Sequence, residues 1–169
     1  MKTPICTFDA RSGTLCSLCE NKLRTGQLTK EDVEASIRLT KLSAKNQDLN
    51  KLTLVSSRKV GEDILLFLRS TDLIYLRSNE FLVSSLRKEF HENVWFIEAD
   101  SPPRKFLDNL FFPIRILNSN MIWLPDGHKV TQVTLSAEDY HIVLAKFHKI
   151  KQIANEIKNI ELIIQVSAE

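Results

Sequence analysis

Val133–Ile164, VTLSAEDYHIVLAKFHKIKQIANEIKNIELII, holds the pattern from which the architecture of the chain is read. It opens on the end of an alternating segment, KVTQVTL (129–135), that reads as a strand. Ser136 followed three residues later by Asp139 is a capping pair. Tyr140, Val143, Leu144, Phe147, Ile150, Ala154 and Ile157 then recur at the spacing of a helical region with one apolar side. IELIIQV (160–166) returns as a strand. Upstream stand a strand at 114–124, IRILNSNMIWL, and a turn at Pro125-Asp126-Gly127. A helix in SPPRKFLDNLFFP, started by proline and stopped before Pro113, precedes them.

The same grammar occurs once before. Thr29 with Asp32 opens a helix to about residue 45, with Val33, Ile37, Leu42 and Ala44 on its apolar side. LTLVSSRKV (52–60) and DILLFLRS (63–70) read as a hairpin across Gly61-Glu62. DLIYL leads into a polar interruption, Arg77-Ser78-Asn79-Glu80, and FLVSSLRKEF is helical with Phe81, Leu82, Leu86 and Phe90 at helical spacing. VWFIEA (94–99) closes the unit as a strand. Leu76-Arg77 and Leu144-Ala145 take equivalent places, 144 − 76 = 68 residues apart. Internal duplication of this kind predicts an α+β protein with two similar small domains in tandem, at 29–100 and 101–169, after a short cysteine-containing segment at 1–28.

That segment carries every cysteine of the chain, in the pattern C-x2-D-x6-C-x2-C formed by Cys6, Asp9, Cys16 and Cys19. Zinc takes thiolate sulfur and carboxylate oxygen in a tetrahedron, so the four residues make a chemically sound site for a segment too short to hold a core. Three free thiols packed on the following domain fit the spacing as well. A thioredoxin-like role does not, since no βαβ pattern surrounds Cys16 and Cys19.

Composition excludes other classes. The chain has 169 residues, 43% apolar and 26% charged, an ordinary globular balance. Its only glycines, Gly13, Gly26, Gly61 and Gly127, are too scattered to build the phosphate-cradling loops of dinucleotide-binding or P-loop enzymes. His91, His128, His141 and His148 show no metal-ligand spacing, and no nucleophile motif is present, so neither an enzyme nor a small-molecule substrate is expected. The longest wholly apolar run, Ile64–Leu68, is far short of a membrane span, and the start lacks the apolar region of a secretion signal. The expectation is a cytoplasmic protein without a membrane partner. Basic residues exceed acidic ones by only 23 − 21 = 2, so a nucleic-acid partner has to be argued from a local patch. Trp95 and Trp123, in apolar strands, are expected as core or interface anchors.

Two stretches carry a family resemblance. Glu89–Leu117, EFHENVWFIEADSPPRKFLDNLFFPIRIL, looks like the segment joining the two KH domains of NusA-type transcription factors, and Val133–Ile164 resembles the second of those domains. The likeness covers about residues 30 to 166, and with the cysteine segment it is most similar to the archaeal NusA-like KH proteins. It implies two tandem type II KH domains, three-stranded sheets with helices on one face, that bind single-stranded RNA in transcription elongation or termination. KH domains grip the RNA backbone with a GxxG loop between two helices. The aligned tetrads here, Arg77-Ser78-Asn79-Glu80 and Ala145-Lys146-Phe147-His148, contain no glycine, and Glu80 repels phosphate. The second tetrad continues an apolar stripe through Leu144, Phe147 and Ile150, which points to a turn straightened into one longer helix.

Charge survives at these places. Lys146, His148, Lys149 and Lys151 cluster at the second tetrad, and Arg77, Ser78, Asn79, Arg87 and Lys88 lie at and after the first. They are the candidate RNA contacts, against the plain alternative of solvated helix faces. Phe147 is assigned to the core. A second class of function is a protein–protein adaptor docking on RNA polymerase or the ribosome, motivated by the missing glycines.

Overall fold

The computed structural model describes residues 1–168 and divides into two compact units, Met1–Asp100 and Ser101–Glu169. No described helix is long and apolar enough to cross a membrane.

The first unit begins with two short helices, α1 (Thr7–Ser12) and α2 (Ser17–Arg24), followed by α3 (Lys30–Lys45) and a 3-10 turn at Gln47–Lys51. The hairpin of β1 (Leu54–Val60) and β2 (Asp63–Leu68) follows, then α4 (Ser70–Arg77), α5 (Glu80–Glu89) and β3 (Val94–Glu98). The sheet runs β1-β2-β3, antiparallel in the hairpin and parallel between β2 and β3. Because side chains alternate along a strand, Leu66 and Leu68 of β2 and the register partners Leu54 and Val94 share one face. On that face they join Ala35 and Leu39 of α3, Leu73 and Leu76 of α4, and Leu82 and Leu86 of α5 in one buried core. All three longer helices therefore lie on one side of the sheet.

The start of α3 follows the capping pair. Thr29 Oγ1 accepts from the Asp32 N–H at 3.1 Å while the Asp32 carboxylate accepts from the Thr29 N–H at 2.9 Å, a reciprocal capping box. The other Asp32 oxygen accepts from the Ser57 N–H at 2.6 Å, tying the helix to β1. The helix is buried on two sides, which the sequence pattern did not separate. Ala35 and Leu39 meet the sheet core, while Val33 and Ile37 pack on a second small cluster of Ile5, Ala10, Cys19 and Leu28. The cysteine segment is thus part of the first unit.

The second unit repeats the order α-β-β-α-α-β: α6 (Pro103–Phe111), β4 (Asn118–Trp123), β5 (Lys129–Leu135), α7 (Ala137–Leu144), α8 (Phe147–Lys158) and β6 (Leu162–Val166). Its sheet, β4-β5-β6, has the same antiparallel and parallel pairings. Helix α6 contacts α8, and α7 and α8 both contact β6.

Four expectations are corrected. The apolar stripe through Leu144 and Phe147 does not merge α7 and α8; the chain breaks at Ala145-Lys146, where Lys146 leaves the helical region at φ −122°, ψ 9°. The buried residues are Val143, Ile150, Ile153 and Ala154, and Leu144 is exposed, so the stripe reverses at the break instead of running through it. Helices α4 and α7 begin at 70 and 137, so the helix pairs repeat at an offset of 67, one less than the sequence pairing of Leu76 with Leu144. Trp123 is 64% exposed on β4, with the Lys129 ammonium 4.3 Å above its ring, and Phe81 is 72% exposed at the start of α5. Strand and helix pattern alone makes both apolar positions, and pattern does not say where a short element outruns its cover.

Candidate functional site

Three places carry the residues singled out by the sequence: the cysteine cluster and the two turns between paired helices. In the cluster, Cys6 caps α1, Asp9 lies in its first turn, and Cys16 and Cys19 begin α2. Cys6 Sγ accepts from the Asp9 N–H at 3.5 Å, and Asp9 Oδ2 accepts from the Cys16 N–H at 3.0 Å. One ligand atom from each of Cys6, Asp9, Cys16 and Cys19 falls within 4.8 Å of all the others. Two helix starts, each with a pair of these residues three apart, thus bring the four donors to one point.

The donor set fits a metal ion. Asp9 is fully buried, forms no ion pair among the described residues, and its Oδ1 has no hydrogen-bond partner. The Cys16 backbone N–H, and after it the Cys19 thiol, hold the Asp9 carboxyl at about 2, so the charge is retained in the interior. Burial pushes the Cys19 thiol up. A buried carboxylate without a counter-ion, beside three thiols of which one resists ionisation, is an arrangement that a divalent cation completes, since a cation favours both charged forms. Three sulfurs and one oxygen are a soft set suited to zinc-like ions rather than to magnesium or calcium.

The first turn is Ser78-Asn79, between α4 and α5, and its polar groups are used within the fold. Asn79 Oδ1 accepts from the Leu82 N–H at 3.1 Å, capping α5. Ser78 Oγ donates to the Tyr75 carbonyl at 2.8 Å. Tyr75 Oη donates to Asp48 Oδ1 at 3.0 Å, and Lys51 Nζ donates to the same oxygen at 2.9 Å. Lys51, followed by Tyr75, holds the Asp48 carboxyl below its ordinary range, and Tyr75 and Asp48 push Lys51 up to about 12. Arg77 is half-buried; burial lowers its pKa, and the Glu98 charge opposes that shift. Arg87 and Lys88 are exposed but sit in the last turn of α5, about 12 Å of helix rise from Asn79. There they complement the carbonyl end of the helix. Asp48, which sequence spacing could not connect with residue 79, is paired with Lys51 here, and Glu80 opens α5 beside it. Ile74 and Phe81, 68% and 72% exposed, flank the turn.

The second turn is Ala145-Lys146. Lys146 stands at the cap position of α8, where no side chain bonds the first amides, and the first helical turn holds no acidic residue. His148 and Lys151 are exposed, and Lys146 and Lys149 are half-buried. Positive side chains at the positive end of a helix oppose its dipole, and a bound anion relieves both. Lys146, His148, Lys149 and Lys151 are brought together at one helix start, whereas the candidates of the first unit are divided between two ends of α5. Phe147 is only partly buried, so its assignment to the core holds in part.

No family model matches the sequence, and no curated protein matches it. The fold is similar to that in the crystal structure of APE1850, an archaeal protein. The match has a TM-score of 0.50 at 14% identity and covers 77% of this chain and 95% of that one. At that identity the likeness is one of fold.

Proposed function

We propose that the chain is a NusA-like factor of transcription elongation or termination, cytoplasmic and not an enzyme. Its two units act as type II KH-like domains, and its cysteine segment as a zinc knuckle. The observation that carries the reading is the twice-repeated order α-β-β-α-α-β with β2 parallel to β3 and β5 parallel to β6. That order puts a two-helix turn beside the last strand of each unit, where the resemblance locates RNA. The second unit contacts single-stranded RNA through Lys146, His148, Lys149 and Lys151, replacing a glycine-lined clamp by charge attraction at a helix start. Zinc would be held by Cys6, Asp9, Cys16 and Cys19 and would supply structural closure of α1 and α2, with no chemistry of its own.

A filter-binding series with short single-stranded RNA at several salt concentrations tests this. Binding at micromolar or tighter Kd, weakening as salt rises, is expected; RNA retention no better than that of an unrelated protein of equal charge overturns it. The first unit favours a second reading for its own surface. Glu80 at its turn, which repels phosphate, and the exposed Ile74 and Phe81 suit an adaptor contact with a protein such as RNA polymerase or the ribosome. A stoichiometric complex that is lost on Phe81→Asp would support it.

A further inference from the structure

A groove of about 450 Å³ lies between α1 and α3, lined among others by Thr3, Thr7, Arg11, Thr40, Lys41 and Asn50. Its origin is the stripe of α3 that faces α1. Val33 and Ile37 pack on the cysteine-segment core, and one and two turns further on the same stripe presents Lys41 and Ala44 to the groove. The lining contains two cationic side chains, several hydroxyls and no carboxylate. Arg11 and Lys41 form no ion pair among the described residues, whereas Arg38, Arg69 and Arg104 are each paired with an acid. In a chain with 23 basic and 21 acidic residues, a concave site with cations alone is a local excess that an anion would balance.

Thr7 and Arg11 also line an adjoining hollow with Phe8 and Ser12. Phe8 is 73% exposed, a large aromatic surface left in water in the hollow that shares Thr7 and Arg11 with the cationic groove. The volume lies within the about 300–1,000 Å³ usual for small-ligand sites and exceeds what a lone phosphate needs. Cationic side chains that hold a phosphate beside an aromatic ring that stacks a base are the two elements of single-strand nucleic-acid sites.

We propose that the α1–α3 groove is a nucleotide-binding site, with a phosphate held between Arg11 and Lys41 and the attached base stacked on Phe8. The preferred source is one nucleotide of a single-stranded RNA, and in that arm the inference rests on the RNA-binding reading above; the site itself is separate from both helix turns.

The test compares wild type, Arg11→Glu/Lys41→Glu, Phe8→Ala and Lys146→Glu/Lys149→Glu in filter binding of an eight-nucleotide oligouridylate across a salt series. Uridine monophosphate and inorganic phosphate serve as competitors, and 4-thiouridine crosslinking locates the contact. Phe8, Arg11 and Lys41 are exposed, so these variants should keep the wild-type circular dichroism. The expected results are an affinity loss of about tenfold for Phe8→Ala and a salt slope shallower by about 0.7 for the Arg11/Lys41 variant, as one phosphate contact is lost, with a crosslink on α1. Competition by uridine monophosphate that Phe8→Ala abolishes supports the same site with a free nucleotide as its source. Competition by inorganic phosphate equal to that of the nucleotide, with Phe8→Ala silent, overturns the stacking geometry. Unchanged affinity in the Arg11/Lys41 variant, with loss only in the Lys146/Lys149 variant, overturns this inference and leaves the earlier reading standing. Loss in the Arg11/Lys41 variant alone supports the inference and overturns the placement of RNA on the second turn. A wild type that retains neither oligouridylate nor uridine monophosphate overturns both.

Discussion

The two units share one chain path, and their helix turns have opposite chemistry. At Ser78-Asn79 the cap is filled by Asn79, the nearby lysine is spent on Asp48 and Tyr75, and Glu80 opens the next helix. At Ala145-Lys146 the cap position holds a lysine that caps nothing, and the only polar side chains of the following turn are the basic His148 and Lys149. A filled cap stabilises its helix and has little left for a ligand; an unfilled cationic one forgoes that stabilisation and stays open to anions. One architecture therefore carries a filled, capped turn in the first unit and an uncapped, basic one in the second, which is the turn proposed to bind RNA.

The largest expected effect separates the units by their stability. Chelation that strips the cysteine cluster leaves buried Asp9 without a cation, and the first unit alone should lose several kcal/mol, about 10 °C or more in its midpoint. Calorimetry resolving two transitions, with elemental analysis giving about one metal per chain beforehand, checks this; equal shifts in both transitions would contradict it. Next, Asp48→Asn/Glu80→Lys should turn the first unit toward the second. Oligonucleotide affinity should rise a few-fold and the salt slope steepen by about 0.7 as one further phosphate is engaged.

A smaller effect distinguishes the caps themselves. Asn79→Ala should cost about 1 kcal/mol in denaturant unfolding, whereas Lys146→Ala should cost under about 0.5, because no cap bond is lost. The smallest concerns pH. The Asp48 carboxyl lies below its ordinary value of 3.8 in the folded chain because Lys51 and Tyr75 favour its charged form. Its contribution is complete above that ordinary value and fades as pH falls through the depressed one. The stability gap between wild type and Asp48→Asn should therefore hold at pH 6 and close below about pH 4.

Much of this was legible in the chain. The Thr29/Asp32 and Ser136/Asp139 caps, the Gly61-Glu62 hairpin and the duplicated order follow from short-range chemistry, and the structure places them where those signals stand. The C-x2-D-x6-C-x2-C spacing pointed to four residues that do lie close enough to hold a metal ion, because they sit on two adjacent helix starts. What the sequence hid depends on distance in space. Asp48 and Lys51 meet Tyr75 only after the hairpin folds back, and Arg11 meets Lys41 only when α1 docks on α3. The α7–α8 break was hidden for another reason: Leu144, Phe147 and Ile150 keep helical spacing across it, and periodicity cannot register a turn that preserves it.

Whether RNA reads the second turn or only overall charge is decided by matched charge reversals, one at that turn and one at the end of α5 far from the first turn. Lys146→Glu/Lys149→Glu and Arg87→Glu/Lys88→Glu change net charge by the same amount in corresponding helices of the two units. Binding of one short single-stranded RNA to both variants should fall by tenfold or more for the first and stay within about twofold of wild type for the second. Equal losses would mean that RNA responds to overall charge and that the second turn is not its contact.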